Sequence, residues 1–215
     1  MPAWNHSRIY HMTESANWPS IRKHGLLSTS RLLTLCGING SERHDLERRQ
    51  RLQTHRLPNG AVIRNQVPLP PQALVRCLAN GMSPEEWYAE LNRRVFFWID
   101  ENRLNRQRRA CISSPQIVLS IDAARLMESY AARISLTPFN TGNARRKPAR
   151  RGRETFVPLQ TWRESGWSWE ADGLKTPPRP SSHTPVELAV NDAVENILEF
   201  ALDVRRLGPG EYFSP

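Results

Sequence analysis

His11 and Thr13 stand two apart in the stretch RIYHMTE, and Glu187 lies far downstream in PVELAV. In an extended segment side chains two apart share a face, so His11 and Thr13 can aim at one ligand. An imidazole nitrogen donates or accepts, and a threonine hydroxyl does both at once, which suits sugar hydroxyls or a carboxamide. On residue type alone His11 has two readings, a ligand contact or a strand-end histidine with one structural hydrogen bond. Glu187 also has two, because an acid inside an apolar strand faces either solvent or a pocket where it meets positive charge. Asp192, Glu195 and Glu199 read as a solvated face. Asp100, Glu101 and Glu14 have no spacing that fixes a paired-carboxylate separation.

The elements that must position these groups are short. Arg8 to Met12 reads as a strand, and Trp18-Pro19 opens a helix through Lys23 with Asn17 as N-cap and Gly25 as its stop. Residues 40 to 56 read as an exposed, charged helix followed by a loop, and Asn59-Gly60 as a turn before a strand at 61 to 67. PQALVRCLAN at 71 to 80 reads as a helix with Gly81 as its stop. Ser83-Pro84-Glu85-Glu86 has the form of a capping box, opening a helix that carries Trp87, Tyr88 and Leu91 to the core. VFFWI at 95 to 99 is continuously apolar, as expected of a central strand covered on both faces. A helix follows from Asp100, then strands at 116 to 121, 134 to 136, 186 to 190 and 201 to 204, with a long loop from 138 to 153. GWSWEADGLKTPPRPSSHTP reads as an irregular excursion. Six or seven strands without regular strand-helix alternation predict an α+β fold. The expectation is a single domain over 1–215 with surface insertions near 40–60 and 140–155.

Composition narrows the partners. A net charge of +9 and a pI near 10.3 favour a polyanion, and the charge is almost all arginine, which contacts phosphate bidentately. RRKPARRGR gathers Arg145, Arg146, Lys147, Arg150, Arg151 and Arg153 without an acid, whereas residues 185 to 203 hold five acids and no cation. The basic run has two readings, a solvated loop or a clamp for nucleic-acid phosphates. Its interruption by Pro148 and Gly152 excludes a basic amphipathic helix, so backbone contact fits better than base reading. No run of apolar residues suits a membrane span and the start lacks the apolar core of a secretory signal, so a cytoplasmic, membrane-free setting is expected. Cys36, Cys77 and Cys111 are isolated and form no zinc or disulfide pattern, and no metal is expected. GxGxxG, GxxxxGK[ST] and HExxH are absent.

Three stretches together resemble the ADP-ribosyltransferase superfamily, and within it the DarT-like group whose members modify nucleic acid. They are YHMTESANWPSIRKHGLLS, VFFWIDENRL and PVELAVNDAVENIL. The resemblance implies an ADP-ribosyltransferase-like pair of split β-sheets with short surrounding helices and NAD in the cleft between them. It implies that His11 bonds the nicotinamide ribose, that Thr13, Asn17, Gly25 and Leu26 set that end of the cofactor, and that Phe97 or Trp98 lines its side. Arg103, and after it Arg31, is the implied phosphate arginine. Glu187 is the implied catalytic acid, which stabilises the positive charge as the nicotinamide bond breaks. The implied reaction is NAD-dependent transfer of ADP-ribose to a base of RNA or single-stranded DNA by a monomeric, toxin-like enzyme, controlled by a neutralising protein partner. A protein acceptor and a non-catalytic nucleic-acid-binding module are the alternatives.

Overall fold

A computed structural model describes residues 4–146 and 148–214. The strands are β1 (Arg8–Glu14), β2 (Leu26–Leu27), β3 (His55–Arg56), β4 (Val62–Ile63), β5 (Arg94–Trp98), β6 (Gln116–Asp122), β7 (Ile134–Thr137), β8 (Val157–Pro158), β9 (Glu187–Asn191), β10 (Ala193–Val194) and β11 (Ala201–Leu207). The helices are α1 (Trp18–His24), α2 (Thr29–Leu35), α3 (Gly40–Arg48), α4 (Pro71–Val75), α5 (Pro84–Asn92), α6 (Glu101–Ala110), α7 (Ala123–Ser129), α8 (Leu159–Ser165), α9 (Ser168–Leu174) and α10 (Ile197–Phe200). Seven strands form one sheet in the order β11-β6-β1-β5-β9-β7-β8, and every neighbouring pair is antiparallel. Two ribbons, β10–β2 and β3–β4, lie beside it. The fold is therefore a mixed α+β one, with a multi-stranded antiparallel sheet and flanking helices.

Register assigns the side chains to two faces. On one face Ile9, Phe97, Ile117, Leu119, Ile121, Leu188 and Val190 form the main core with Leu126, Trp162 and Ile197 from the helices. On the other face the packing is divided. Tyr10, Met12, Val118 and Leu207 close against Leu104 and Phe213 at one end, while Ala189 joins Trp87, Tyr88 and Phe156 at the other. Trp98 packs against the first of these clusters, and its register partner Glu187 belongs to neither. A smaller core of Leu33, Ile38, Leu46, Leu57, Ala61 and Ile63 ties α2, α3 and the β3–β4 ribbon together.

The middle of the sheet is weakly sewn. β1 pairs with β6 over seven residues but with β5 through one pair only, Tyr10 with Trp98. Beyond that pair β1 follows β6 while β5 follows β9, and a wedge opens between Met12–Thr13 on one side and Arg94–Phe96 on the other. The Phe96 carbonyl, which a continued ladder would satisfy with a backbone N–H, is instead 2.9 Å from the His11 ring nitrogen Nδ1.

Several local expectations are met by the observed contacts. The capping box is present, with Ser83 Oγ accepting from the Glu86 N–H at 3.2 Å and Glu86 Oε2 accepting from the Ser83 N–H at 2.8 Å. Gly25 ends α1 and donates its N–H to the Ile21 carbonyl at 2.9 Å. Others are corrected. Asn17 precedes α1 but its side chain makes no cap bond. Residues 168 to 174 are helical, because Ala171 and Leu174 are buried and Glu170 is held by Arg179 Nε and Nη2 at 2.8 Å each. Residues 159 to 165 add the unforeseen α8, α4 stops at Val75, and the strand expected over 61 to 67 is only two residues long. Among the described residues no helix is long and apolar enough to cross a membrane.

Candidate active site

The wedge between β1 and β5 opens into a cleft of about 660 Å³, within the roughly 300–1,000 Å³ typical of ligand pockets. His11, Thr13, Asn17, Gly25, Leu26, Trp98, Arg103 and Glu187, drawn from three distant stretches of sequence, all line it. Phe97 does not. It is fully buried in the main core, and its neighbours Phe96 and Trp98 face the cleft instead. Arg31 also lies outside the lining, half exposed and 3.4 Å from Asp192.

Glu187 is 4% exposed and opens β9. Its Oε2 is fixed by the Thr141 N–H at 3.1 Å, the Thr141 hydroxyl at 2.8 Å and the Thr137 hydroxyl at 3.0 Å. No described residue bonds Oε1, which is left for the cleft. Burial pushes the carboxyl up to about 7, while the threonine bonds and nearby Arg151 pull it down. The Thr137 hydroxyl is 3.0 Å from both Oε2 and the Phe139 carbonyl and has one proton for the two. With Glu187 ionised that proton serves Oε2, and with Glu187 protonated Oε2 can donate to Thr137 while Thr137 donates to Phe139.

His11 is partly exposed on the wall facing the cleft. Burial lowers it to about 4, so at neutral pH it is uncharged. With Nδ1–H donated to Phe96, its Nε2 is an acceptor. The structural bond occupies only one ring nitrogen, so the two readings of His11 do not compete.

Asn17 is a clasp. It donates to Thr13 Oγ1 at 2.7 Å and to the Val62 carbonyl at 3.0 Å, and accepts from the Val62 N–H at 2.6 Å. It therefore docks β4 as the cleft's second wall and has little left for a ligand. Gly25 permits the approach of β10. Its φ of +75° and ψ of −165° belong almost only to glycine, and a Cβ there would come within 2.3 Å of the Glu195 carbonyl oxygen. Gly25→Ala is expected to cost about 3 kcal/mol or more, a fall in Tm of roughly 6–12 °C for a chain this long, read by thermal melting.

The cleft is cationic. Arg51, Arg64, Arg94, Arg103 and Arg106 line it against one buried acid. Four of the five are held from behind. Arg51 reaches the Arg64 carbonyl at 2.9 Å and Asn92 at 3.1 Å, Arg64 pairs with Glu14 at 3.2 Å, Arg94 with Glu90 at 2.7 Å, and Arg103 with Asp100 at 2.9 Å. Arg106 is exposed and has no carboxylate partner among the described residues. The loop Asn140, Thr141, Gly142 and Asn143 supplies the remaining wall. Sequence reasoning passed over Arg51, Arg64, Arg94 and Arg106, which carry no local signal, and over Thr141 in the long loop.

The basic run does not act as one patch. Arg145, Arg146 and Arg150 are exposed, Arg153 pairs with Glu86 at 3.4 Å, and Lys147 lies outside the described residues. Arg151 is a correction. It is 1% exposed and donates to the Thr141 carbonyl at 3.2 Å, with its guanidinium 4.9 Å from the Phe139 ring and 5.6 Å from the Trp87 ring. Its backbone bonds Cys77 and Ala79 at 2.9 Å each, which pins the side chain under the loop and out of reach of any nucleic acid.

A family model described as "Family of unknown function (DUF7002)" matches residues 7–201. The chain belongs to that family. The DUF7002 match begins just before β1 and ends at the first residue of β11, so His11, Glu187 and the whole cleft lie within it. No curated protein matches the chain.

Proposed function

We propose that this chain is an NAD-dependent ADP-ribosyltransferase whose acceptor is a nucleic-acid base. The observation that carries the reading is Glu187, a single carboxylate buried in a cationic cleft, with Oε2 fixed by three bonds and Oε1 unbonded. The one-pair seam between β1 and β5 supports the split-sheet form of the fold, since it leaves the halves β11-β6-β1 and β5-β9-β7-β8 on either side of the cleft. The donor set suits the dinucleotide: a neutral acceptor at His11 for a ribose hydroxyl, an aromatic wall at Phe96, and arginines for the diphosphate.

NAD supplies an activated glycosidic bond with neutral nicotinamide as leaving group. In this reading His11 Nε2 and Glu187 Oε1 accept from ribose hydroxyls and hold the sugar. Glu187 then faces the positive charge that develops at the anomeric carbon. As the acceptor atom bonds that carbon and the nicotinamide bond breaks, Glu187 takes the proton the acceptor loses. A group near 7 serves both ends of that exchange. The net charge of +9 and the exposed Arg145, Arg146 and Arg150 support a polyanionic acceptor. Uncontrolled modification of nucleic acid would harm its host, so a neutralising protein partner belongs to the proposal.

The test is incubation with NAD labelled in its adenylate phosphate, together with RNA, single-stranded DNA or a protein extract. Label in a nucleic acid, with an equal release of nicotinamide, is expected. Failure to release nicotinamide with every acceptor would overturn the reading.

A further inference from the structure

We infer that Trp98 and the cleft-facing stripe of α6 form the subsite that holds a base of single-stranded nucleic acid beside Glu187. The direction of the chemistry rests on the transferase reading, but the subsite itself stands on different observations.

Arg103, Arg106, Gln107 and Ala110 line the cleft at helical spacing, so one face of α6 forms this wall. The helix cannot roll. On its far side Leu104 is fully buried, and Arg108, also fully buried, donates to the carbonyls of Glu211, Cys111, Ser114, Ile112 and Gly208 at 2.5–3.1 Å. Trp98 is equally fixed, because its indole N–H donates to Gln107 Oε1 at 2.6 Å. That bond uses the only polar atom of the indole. Trp98 therefore offers the cleft a ring with no donor left, a surface that recognises by stacking.

Arg106 lines the same cleft one residue before Gln107, exposed and without a carboxylate partner among the described residues, while Arg103 is tied to Asp100. A flat apolar face next to a free cation is the pairing that single strands use, one for the base and one for the phosphate. An acidic peptide would use the cation and leave the ring idle. Position gives the subsite its purpose. Trp98 and Glu187 are register partners on one face of the sheet, where Cβ atoms stand about 4.5–5.5 Å apart. A base stacked on Trp98 thus presents its edge to the carboxylate. A duplex cannot, because its bases are stacked on one another.

The experiment measures the affinity of the full chain for a fluorescent single strand of about 12 nucleotides by anisotropy, over a range of salt. Trp98→Leu is expected to weaken binding roughly 10- to 100-fold with the salt slope unchanged, and Trp98→Phe to restore most of it. Arg106→Gln, an exposed change that cannot unfold the chain, is expected to weaken binding and to reduce the slope of log Kd against log salt by about 0.7. Wild-type affinity in both Trp98→Leu and Arg106→Gln would overturn the subsite. So would loss confined to Arg145→Gln and Arg146→Gln, which would place the strand on the loop. Nicotinamide release from NAD, assayed on the same proteins, separates the two proposals. Release with binding indifferent to Trp98 removes the subsite alone, whereas Trp98-dependent binding without release removes the transferase alone.

Discussion

Glu187→Gln is expected to lower ADP-ribosyl transfer by at least about 100-fold while NAD binding weakens by no more than about tenfold, the cost of one ribose hydrogen bond. The carboxylate acts mainly on charge that appears as the nicotinamide bond breaks, so its loss falls far more on turnover than on affinity. Glutamine keeps the shape and can still accept from Thr141 and Thr137. Single-turnover kinetics with NAD titrated separately distinguish the effects, and near-normal turnover in this variant would end the assignment. Because the ionised form is the active one and burial holds the group up at about 7, wild-type turnover should climb as pH rises through 7.

The same substitution has a stability signature of opposite sign. Glu187 is raised from 4.5 when exposed to about 7 when folded. Its contribution is fully present below about 4.5 and is lost as pH rises through 7. The whole difference is on the order of 3 kcal/mol. Glutamine does not titrate, so Glu187→Gln should gain in Tm relative to wild type between pH 5 and pH 8, even as it abolishes transfer. His11 runs the other way. It falls from 6.5 to about 4 on folding, so its contribution is present above 6.5 and is lost as pH drops through 4. In the wild type the two trends oppose each other between about 4.5 and 6.5, which hides both. Removing one acid exposes the histidine's acid limb, measurable as a steeper fall in Tm toward pH 4.

What was legible in the sequence was what neighbours decide. The strand from Arg8 to Met12, which runs on to Glu14, the Ser83 capping box and the Gly25 stop depend on residues within four positions of each other, and all three are present. The face of VFFWI was not legible, since a continuous apolar run carries no polar mark of its period. Only pairing with β9 sends Phe97 to the core and Phe96 and Trp98 to the cleft. Asn17 shows how a local rule loses to a distant partner. It has the residue type and place of a cap, but its amide is taken by Val62, 45 positions away. Of the site, the acid, the histidine and Trp98 could be named in advance. Of the cleft arginines Arg103 was named as well, but Arg51, Arg64 and Arg94 could not be, because they reach the cleft only through the packing of α3, α5 and the β3–β4 ribbon.

Arg151→Gln is the second change expected to have a large effect, and it tests whether the basic run is a binding patch at that position. Arg151 lies between two aromatic rings and holds the Thr141 carbonyl at 3.2 Å, while the Thr141 N–H and hydroxyl hold Glu187. It is a positioning residue, acting on the carboxylate through one loop residue and through its charge, which lowers Glu187. Glutamine leaves the Phe139 and Trp87 rings without their packing and the carbonyl without its donor. A loss of about 3 kcal/mol is expected, roughly 6–12 °C in Tm. A merely structural role would stop there. Removing the cation should also move the pH at which transfer turns on to above 7, because only the threonine bonds then offset the burial of Glu187. Arg151→Lys keeps the charge but not the planar fork, so it should return the pH profile toward wild type while recovering only part of the stability. Wild-type Tm with weakened nucleic-acid binding in Arg151→Gln would instead make Arg151 a surface ligand and break the link from loop to carboxylate.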